Sequence, residues 1–281
     1  MDDPGCRESI GRAGSCWPAF PKLLPKVSFL MIMSPSFVLF TTLVFLLAGT
    51  VKGVIGLGLP TVAIGLMSLF MTPVEAAAIL VAPSLITNVW QALVGSYLWP
   101  LLRRLWPMLL GMCAGTYAAS GILTGGNSGI AVTALGLALV IYAVVGLTSL
   151  RLAVPPRWEV WLGPLVGLAT GVVTAATGVF VIPAVPYLQA LGLEKDELVQ
   201  ALGLYFLVST VALAAVVAQA GALPMPWLAL AGAAAVALVA ALVGMAFGQL
   251  IRAKVRPDVF RRCFFIGLLL LGLHLGLRPF L

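Results

Sequence analysis

"LAGTVKGVIGLGLPTVAIGLM", residues 47–67, decides how the chain is read. Gly49, Gly53, Gly56, Gly58 and Pro60 interrupt an otherwise apolar run, and Lys52 stands among them. Glycine lets a helix come apart, and proline removes a backbone donor. In hydrocarbon, freed backbone groups persist only where protein or a water-filled cavity surrounds them. A lysine at the same place needs a partner, a cavity or the membrane surface. A broken helix carrying a charge reads as a binding site inside a membrane; the bland alternative is a lysine that snorkels to the interface.

The pattern returns further along. A shift of 118 residues carries Gly49 and Gly53 onto Gly167 and Gly171 in "LVGLATGVVTAATGVFVIPAVPYL", where Gly178 and Pro183 continue the irregularity. Paired Gly/Pro-interrupted segments in corresponding halves point to a transporter site. The two breaks, near residues 49–60 and 167–183, are expected to meet in one polar pocket near the bilayer midplane.

Composition supports the membrane reading. The 281 residues are 62% hydrophobic and only 9% charged, against about 25% charged in soluble domains, and the mean hydropathy is +1.13. The net charge of +7 comes from residues in short stretches between apolar spans. That is the positive-inside pattern of a membrane protein, so no nucleic-acid partner is expected. Cys6, Cys16, Cys113 and Cys263 have neither CxxC nor Cys/His spacing, so neither a metal site nor a disulfide framework follows. His274, the single histidine, reads as an interfacial or packing residue.

Residues 1–33 read as a disordered tail or a mis-assigned start. Apolar segments follow at 34–55, 59–71, 72–98, 105–124 and 128–150, with Arg103 and Arg104 marking a basic loop. Thr72, Pro73 and Glu75 make a helix start. Residues 151–157 form a linker, and the order repeats at 158–178, 179–192, 196–220, 226–251 and 259–277. The chain is therefore expected to be all-α, with two membrane repeats (34–150 and 158–281) and 8–10 transmembrane helices in total. Basic residues follow the third segment of the first repeat but the fourth of the second (Arg252, Lys254, Arg256, Arg261, Arg262), which implies opposite insertion, that is, inverted repeats.

Further polar residues stand out in "PSLITNVWQAL", residues 83–93. Asn88 and Gln91 share a helical face, with Ser84 and Thr87 on adjoining turns. Such groups either donate to an anion or hydrogen-bond neighbouring helices. The second repeat offers Thr174, Thr177, Gln200, Tyr205, Ser209 and Thr210; a four-residue insertion aligns Ser209 and Thr210 with Thr87 and Asn88. Tyr205 equally suits a packing aromatic with its hydroxyl on backbone. Asp and Glu occur only in the tail, in loops or at segment starts, whereas cation transporters usually show intramembrane carboxylates. With Lys52 and positive helix ends available, the substrate is expected to be a small anion. Lys52, Asn88, Gln91, Thr174, Thr177 and Gln200 are the expected cavity residues. No HExxH, GxSxG or GxGxxG constellation is present, so no enzyme and no cofactor is expected.

"AGTVKGVIGLGLPTVAIGL", "VAPSLITNVWQAL" with "LLRRLWPMLLG", and "GLATGVVTAATGVFVIPAVPYLQALGLEKDELVQALGL" together resemble the TauE/SafE family of sulfite-exporter-like permeases, over about residues 34–277. The resemblance implies an inner-membrane permease for sulfite, sulfonates or other small organic anions, often an exporter. The chain has "GLGLP" where many relatives carry a fuller glycine triplet. The expected partners are the lipid bilayer and a small anion, in a multi-pass protein of the bacterial inner membrane. A homodimer is allowed, and nothing in the residues argues for one. The competing class is a membrane scaffold or assembly factor that moves nothing, with Lys52 and Asn88 serving only helix contacts.

Overall fold

The computed structural model describes residues 34–121, 128–148, 153–219, 227–252 and 257–278. The tail at 1–33 with Cys6 and Cys16, the "TGGNSG" and "GALPMP" turns, and Lys254 and Arg256 lie wholly or mostly outside them. Among the described residues the fold is all helix: α1 (Pro35–Ile55), α2 (Leu59–Met67), α3 (Pro73–Leu93), α4 (Leu98–Ala118), α5 (Ser128–Thr148), α6 (Pro156–Thr177), α7 (Ala184–Ala190), α8 (Lys195–Gln219), α9 (Trp227–Arg252) and α10 (Pro257–Leu277). Seven of these (α1, α3, α5, α6, α8, α9 and α10) contain stretches long and apolar enough to cross a membrane.

Local chemistry sets the boundaries. The Ser34 hydroxyl accepts from the Phe37 N–H ahead of Pro35 and starts α1. Thr72 and Glu75 form a reciprocal capping box that starts α3. α1 and α6 each end on a glycine in the left-handed conformation, Gly56 and Gly178, a geometry that a side chain resists. The amide of each turns back to the carbonyl four residues earlier, Lys52 and Thr174 respectively, at 2.7 Å in both cases. The short helices then fold back. Phe70 packs edge-on against Phe40 near the start of α1, and the Val154 amide donates to the Ala190 carbonyl at the end of α7. The 59–71 and 179–192 pieces therefore return toward the face from which the preceding helix came.

Lipid offers helices no hydrophobic drive to associate, so close packing of small residues holds them together. α1 lies along α9, and α4 along α6. A Cβ on Gly49 would meet the Ala241 carbonyl oxygen at 2.2 Å, and one on Gly244 the Leu46 oxygen at the same distance. A Cβ on Gly167 would meet the Met108 oxygen at 2.1 Å, and one on Gly111 the Pro164 oxygen at 2.4 Å. Both pairs advance together along the chain and are parallel: Gly53 meets Met245, and Gly171 meets Met112. By contrast α3 and α8 run antiparallel, with Gln91 beside Gly203 and Ser84 beside Thr210. So do α5 and α10, with Gly136 beside Gly276 and Gly146 beside Phe265.

Three expectations change. Gly49, Gly53, Gly167 and Gly171 are not helix breaks, because α1 and α6 run through them and use them for backbone contact. The breaks begin at Gly56–Gly58, just before Pro60, and at Gly178, ahead of Pro183. The glycine contacts keep the 118-residue offset, yet the caps are 122 residues apart, so α6 carries about one extra turn before it ends. Lastly, the 72–98 segment stops at Leu93, and α4 begins at Leu98, which puts Arg103 and Arg104 on a helix rather than in a loop. Arg104 pairs there with Glu159 of α6 at 2.6 Å.

Candidate functional site

One turn before α1 ends, Lys52 points into the interior and is only 4% exposed. Snorkelling is thereby excluded for this side chain. Its ammonium donates to the Thr87 hydroxyl at 3.0 Å and, over a short contact, to the Asn88 carbonyl oxygen, both on α3. An ammonium has no lone pair, so Asn88 must turn its oxygen toward Lys52 and its amide away. That amide donates to the Ser84 hydroxyl at 3.0 Å. Ser84 and Thr210 of α8 are 3.0 Å apart, and Thr210 in turn donates to the Phe206 carbonyl at 2.7 Å. With the Thr210 hydrogen committed, the Ser84 hydroxyl donates to it. Thr87 likewise gives its hydrogen to the Pro83 carbonyl at 2.8 Å and keeps a lone pair for Lys52. The result is a run of donors leading away from the cation, each bond polarising the next.

Every member of this cluster is buried, and among the described residues no carboxylate pairs with Lys52. Thr87 and Asn88 occupy two of the three ammonium hydrogens. A cation held in a low-dielectric interior by neutral oxygens alone carries a desolvation cost of several kcal/mol. An anion at the third donor would offset it.

The remaining expected residues occupy different places. Gln91 clamps the first break: its amide donates to the Gly56 carbonyl at 3.3 Å and to Val199 of α8 at 2.9 Å. Gln200 ties the start of α8 to the α3–α4 turn, donating to Ala92 at 2.8 Å and Gly95 at 3.2 Å and accepting from the Tyr97 amide at 2.9 Å. Thr174 and Thr177 return their hydroxyls to carbonyls of α6 itself, and Thr177 also accepts from the Val179 amide as the helix ends. In the second break the Phe180 carbonyl takes the Tyr205 hydroxyl at 2.9 Å, the backbone role that suits a packing tyrosine. The structure thus brings Lys52 and Asn88 together, sets Gln91 and Gln200 beside them along α3 and α8, and leaves Thr174 and Thr177 on α6.

The two breaks do not meet in one pocket. Gly56 lies beside Gln91, near the end of α3, whereas Gly178 lies beside Ile64 and Ala77, near the start of α3. Those points on α3 are roughly 21 Å apart at the rise of an α-helix. The physical reason is length: α1 completes 21 residues before it breaks, enough to traverse the hydrocarbon.

Ser84 and Thr210 close the cluster by hydrogen-bonding one helix to another, the helix-packing role open to Ser84 from the sequence. Their partnership across 126 residues follows from antiparallel α3 and α8. The four-residue insertion that aligns Asn88 with Thr210 was the available signal.

The arrangement defines a multi-pass helical membrane protein with a buried lysine that meets no carboxylate among the described residues. The chain belongs to the sulfite exporter TauE/SafE family, whose family model matches residues 41–275. Members of that family are membrane transporters rather than enzymes. No curated protein and no solved structure matches the chain.

Proposed function

We propose that the protein is a permease for a small anion, such as sulfite, a sulfonate or another small organic anion, acting in secondary transport or export across a bacterial inner membrane. One observation carries this: among the described residues Lys52 is buried on neutral oxygens with no carboxylate beside it. An arriving anion takes the free ammonium hydrogen and compensates the charge; the oriented Asn88–Ser84–Thr210 chain holds the lysine for it. Thr174, which the 122-residue offset places opposite Lys52, contributes no charge, so the two repeats are chemically unequal.

Two inverted repeats, 34–150 and 158–281 joined by the 151–157 linker, account for the packing. Exchanging the repeats sends the α1–α9 pair onto α6–α4, and turns α3–α8 and α5–α10 onto themselves with directions reversed. α4 serves as the eighth crossing. The face bearing Arg103, Arg104, Arg157 and Arg252 is cytoplasmic, and Lys52, in the last turn of α1, lies nearer to it than to the opposite face. Since glycine contacts join α1 to α9 and α4 to α6, the bodies that move past each other each take helices from both repeats. With no ATP-binding motif in the sequence, the drive is an ion gradient, a substrate gradient or a partner protein.

A second reading is favoured by the closure of the cluster, in which Asn88, Ser84 and Thr210 satisfy one another: a scaffold that moves nothing. Flux in proteoliposomes separates the two. Sulfite, thiosulfate, a sulfonate and a carboxylate are supplied in turn; the permease moves at least one, and Lys52→Met abolishes that flux. Absence of flux for every anion leaves the scaffold, and undiminished flux in Lys52→Met removes the site.

A further inference from the structure

At the opposite end of the bundle from Arg104, the turn after α2, the first turns of α3 and α5 and the end of α10 line an open-mouthed cavity of about 500 Å³. Its wall carries one charge of each sign, Glu75 and Arg278, together with Ser68 and Thr72. The carboxylate of Glu75 is half committed. One oxygen accepts from the Thr72 amide at 2.8 Å and the Thr72 hydroxyl at 2.9 Å, while the other takes no hydrogen bond among the described residues. The guanidinium of Arg278 gives one long bond, 3.4 Å, to the Leu69 carbonyl and meets no carboxylate among the described residues. Ser68 is 0% exposed, and its hydroxyl finds no partner among the described residues.

A buried hydroxyl left unpaired is costly, and native structures seldom keep one without a reason. Two opposite charges facing one cavity without pairing are equally informative. A simple anion would satisfy Arg278 but be repelled by Glu75, and a simple cation the reverse. A molecule carrying both charges satisfies both walls at once. We infer that this cavity binds a small zwitterion, its anionic group on the Arg278 guanidinium and its ammonium on the free oxygen of Glu75, with the Ser68 hydroxyl as a further contact. The site is separate from the Lys52 cluster: it lies at the start of α3, whereas Asn88 and Gln91 lie near its end.

The experiment is calorimetric titration of the full chain in nanodiscs with 4-aminobutyrate, butyrate and n-butylamine as probes. The native protein binds 4-aminobutyrate about tenfold or more tighter than either single-charge probe, the worth of one charged hydrogen bond. Arg278→Gln loses the 4-aminobutyrate and butyrate signals. Glu75→Gln keeps the capping box, since glutamine serves at that position, yet it reverses the order: 4-aminobutyrate weakens and butyrate strengthens. Ser68→Ala weakens 4-aminobutyrate binding while raising the unfolding temperature of the unliganded protein. Lys52→Met binds 4-aminobutyrate as the native chain does. Equal affinity for butyrate and 4-aminobutyrate in the native protein, an unchanged order in Glu75→Gln, or loss of binding in Lys52→Met each overturns the inference, as does absence of binding altogether.

Discussion

Replacing Gly167 by alanine tests the close packing of α6 on α4. The added Cβ would sit 2.1 Å from the Met108 carbonyl oxygen, 2.9 Å from the Met112 nitrogen and 3.0 Å from the Met108 carbonyl carbon. A carbon and a carbonyl oxygen approach to about 3.3 Å at closest, so α6 must retreat from α4 by roughly 1.2 Å. The obstacle is backbone in a helix and cannot rotate away. A gap of 0.5–1 Å already forfeits a quarter to a half of the dispersion well, and Gly111, Gly115 and Gly171 share the same seam. Overpacking of this kind costs about 1–3 kcal/mol, and the better helix propensity of alanine returns up to about 1 kcal/mol. A net loss of about 2 kcal/mol is expected, since the clash is with main chain. The assay is reversible unfolding in detergent followed by tryptophan fluorescence, with Gly267→Ala as the control. A Cβ at Gly267 meets nothing within 4 Å, so that variant gains stability. Gly167→Ala as stable as the native chain, or Gly267→Ala equally weakened, would refute the packing argument.

Further outcomes follow from the hydrogen-bond geometry. Asn88→Asp sets a carboxylate against Lys52, forms an internal ion pair and abolishes anion flux while the protein still folds; flux at the native rate would contradict the role given to the lysine. Gln200→Leu strands the Ala92 and Gly95 carbonyls and the Tyr97 amide. Only the Ala92 carbonyl is on a buried residue, so stability falls by about 1–3 kcal/mol, the scale of one buried unsatisfied group, read as a lower unfolding midpoint. Glu159→Gln breaks the pair with Arg104, whose side chain is 36% exposed. The loss stays below about 1 kcal/mol and vanishes in high salt, which unfolding at two ionic strengths measures.

Most helix positions were legible in the sequence because hydrocarbon imposes a length and an apolar composition on each span; α4, which begins at Leu98 rather than at residue 105, was the exception. The capping signal at Thr72–Pro73–Glu75 placed the start of α3 to within a residue. Lys52 and Asn88 stood out because a charge and an amide in such surroundings have few neutral explanations. The roles of Gly49, Gly53, Gly167 and Gly171 were not legible, since a helix-interior glycine reads the same whether it loosens its own helix or admits a neighbour. Only the position of Ala241 or Met108 distinguishes the two. The distance between the breaks was hidden for a related reason: Gly/Pro spacing marks where a helix ends but not the depth it has reached. Gln91 and Gln200 show the same limit. Each looked like a ligand contact because it was polar and near a break, and each instead caps backbone that the break or a turn had freed.

The α1–α9 pairing also bears on how the protein is made. The partner of α1 begins about 190 residues later in the chain, a delay of roughly 10–40 s at ordinary rates of synthesis. Throughout that interval the glycine face around Gly49 and Gly53 has only lipid or an insertion factor against it. The glycine seam of α1 therefore cannot close early, and its packing waits for the ribosome to deliver α9.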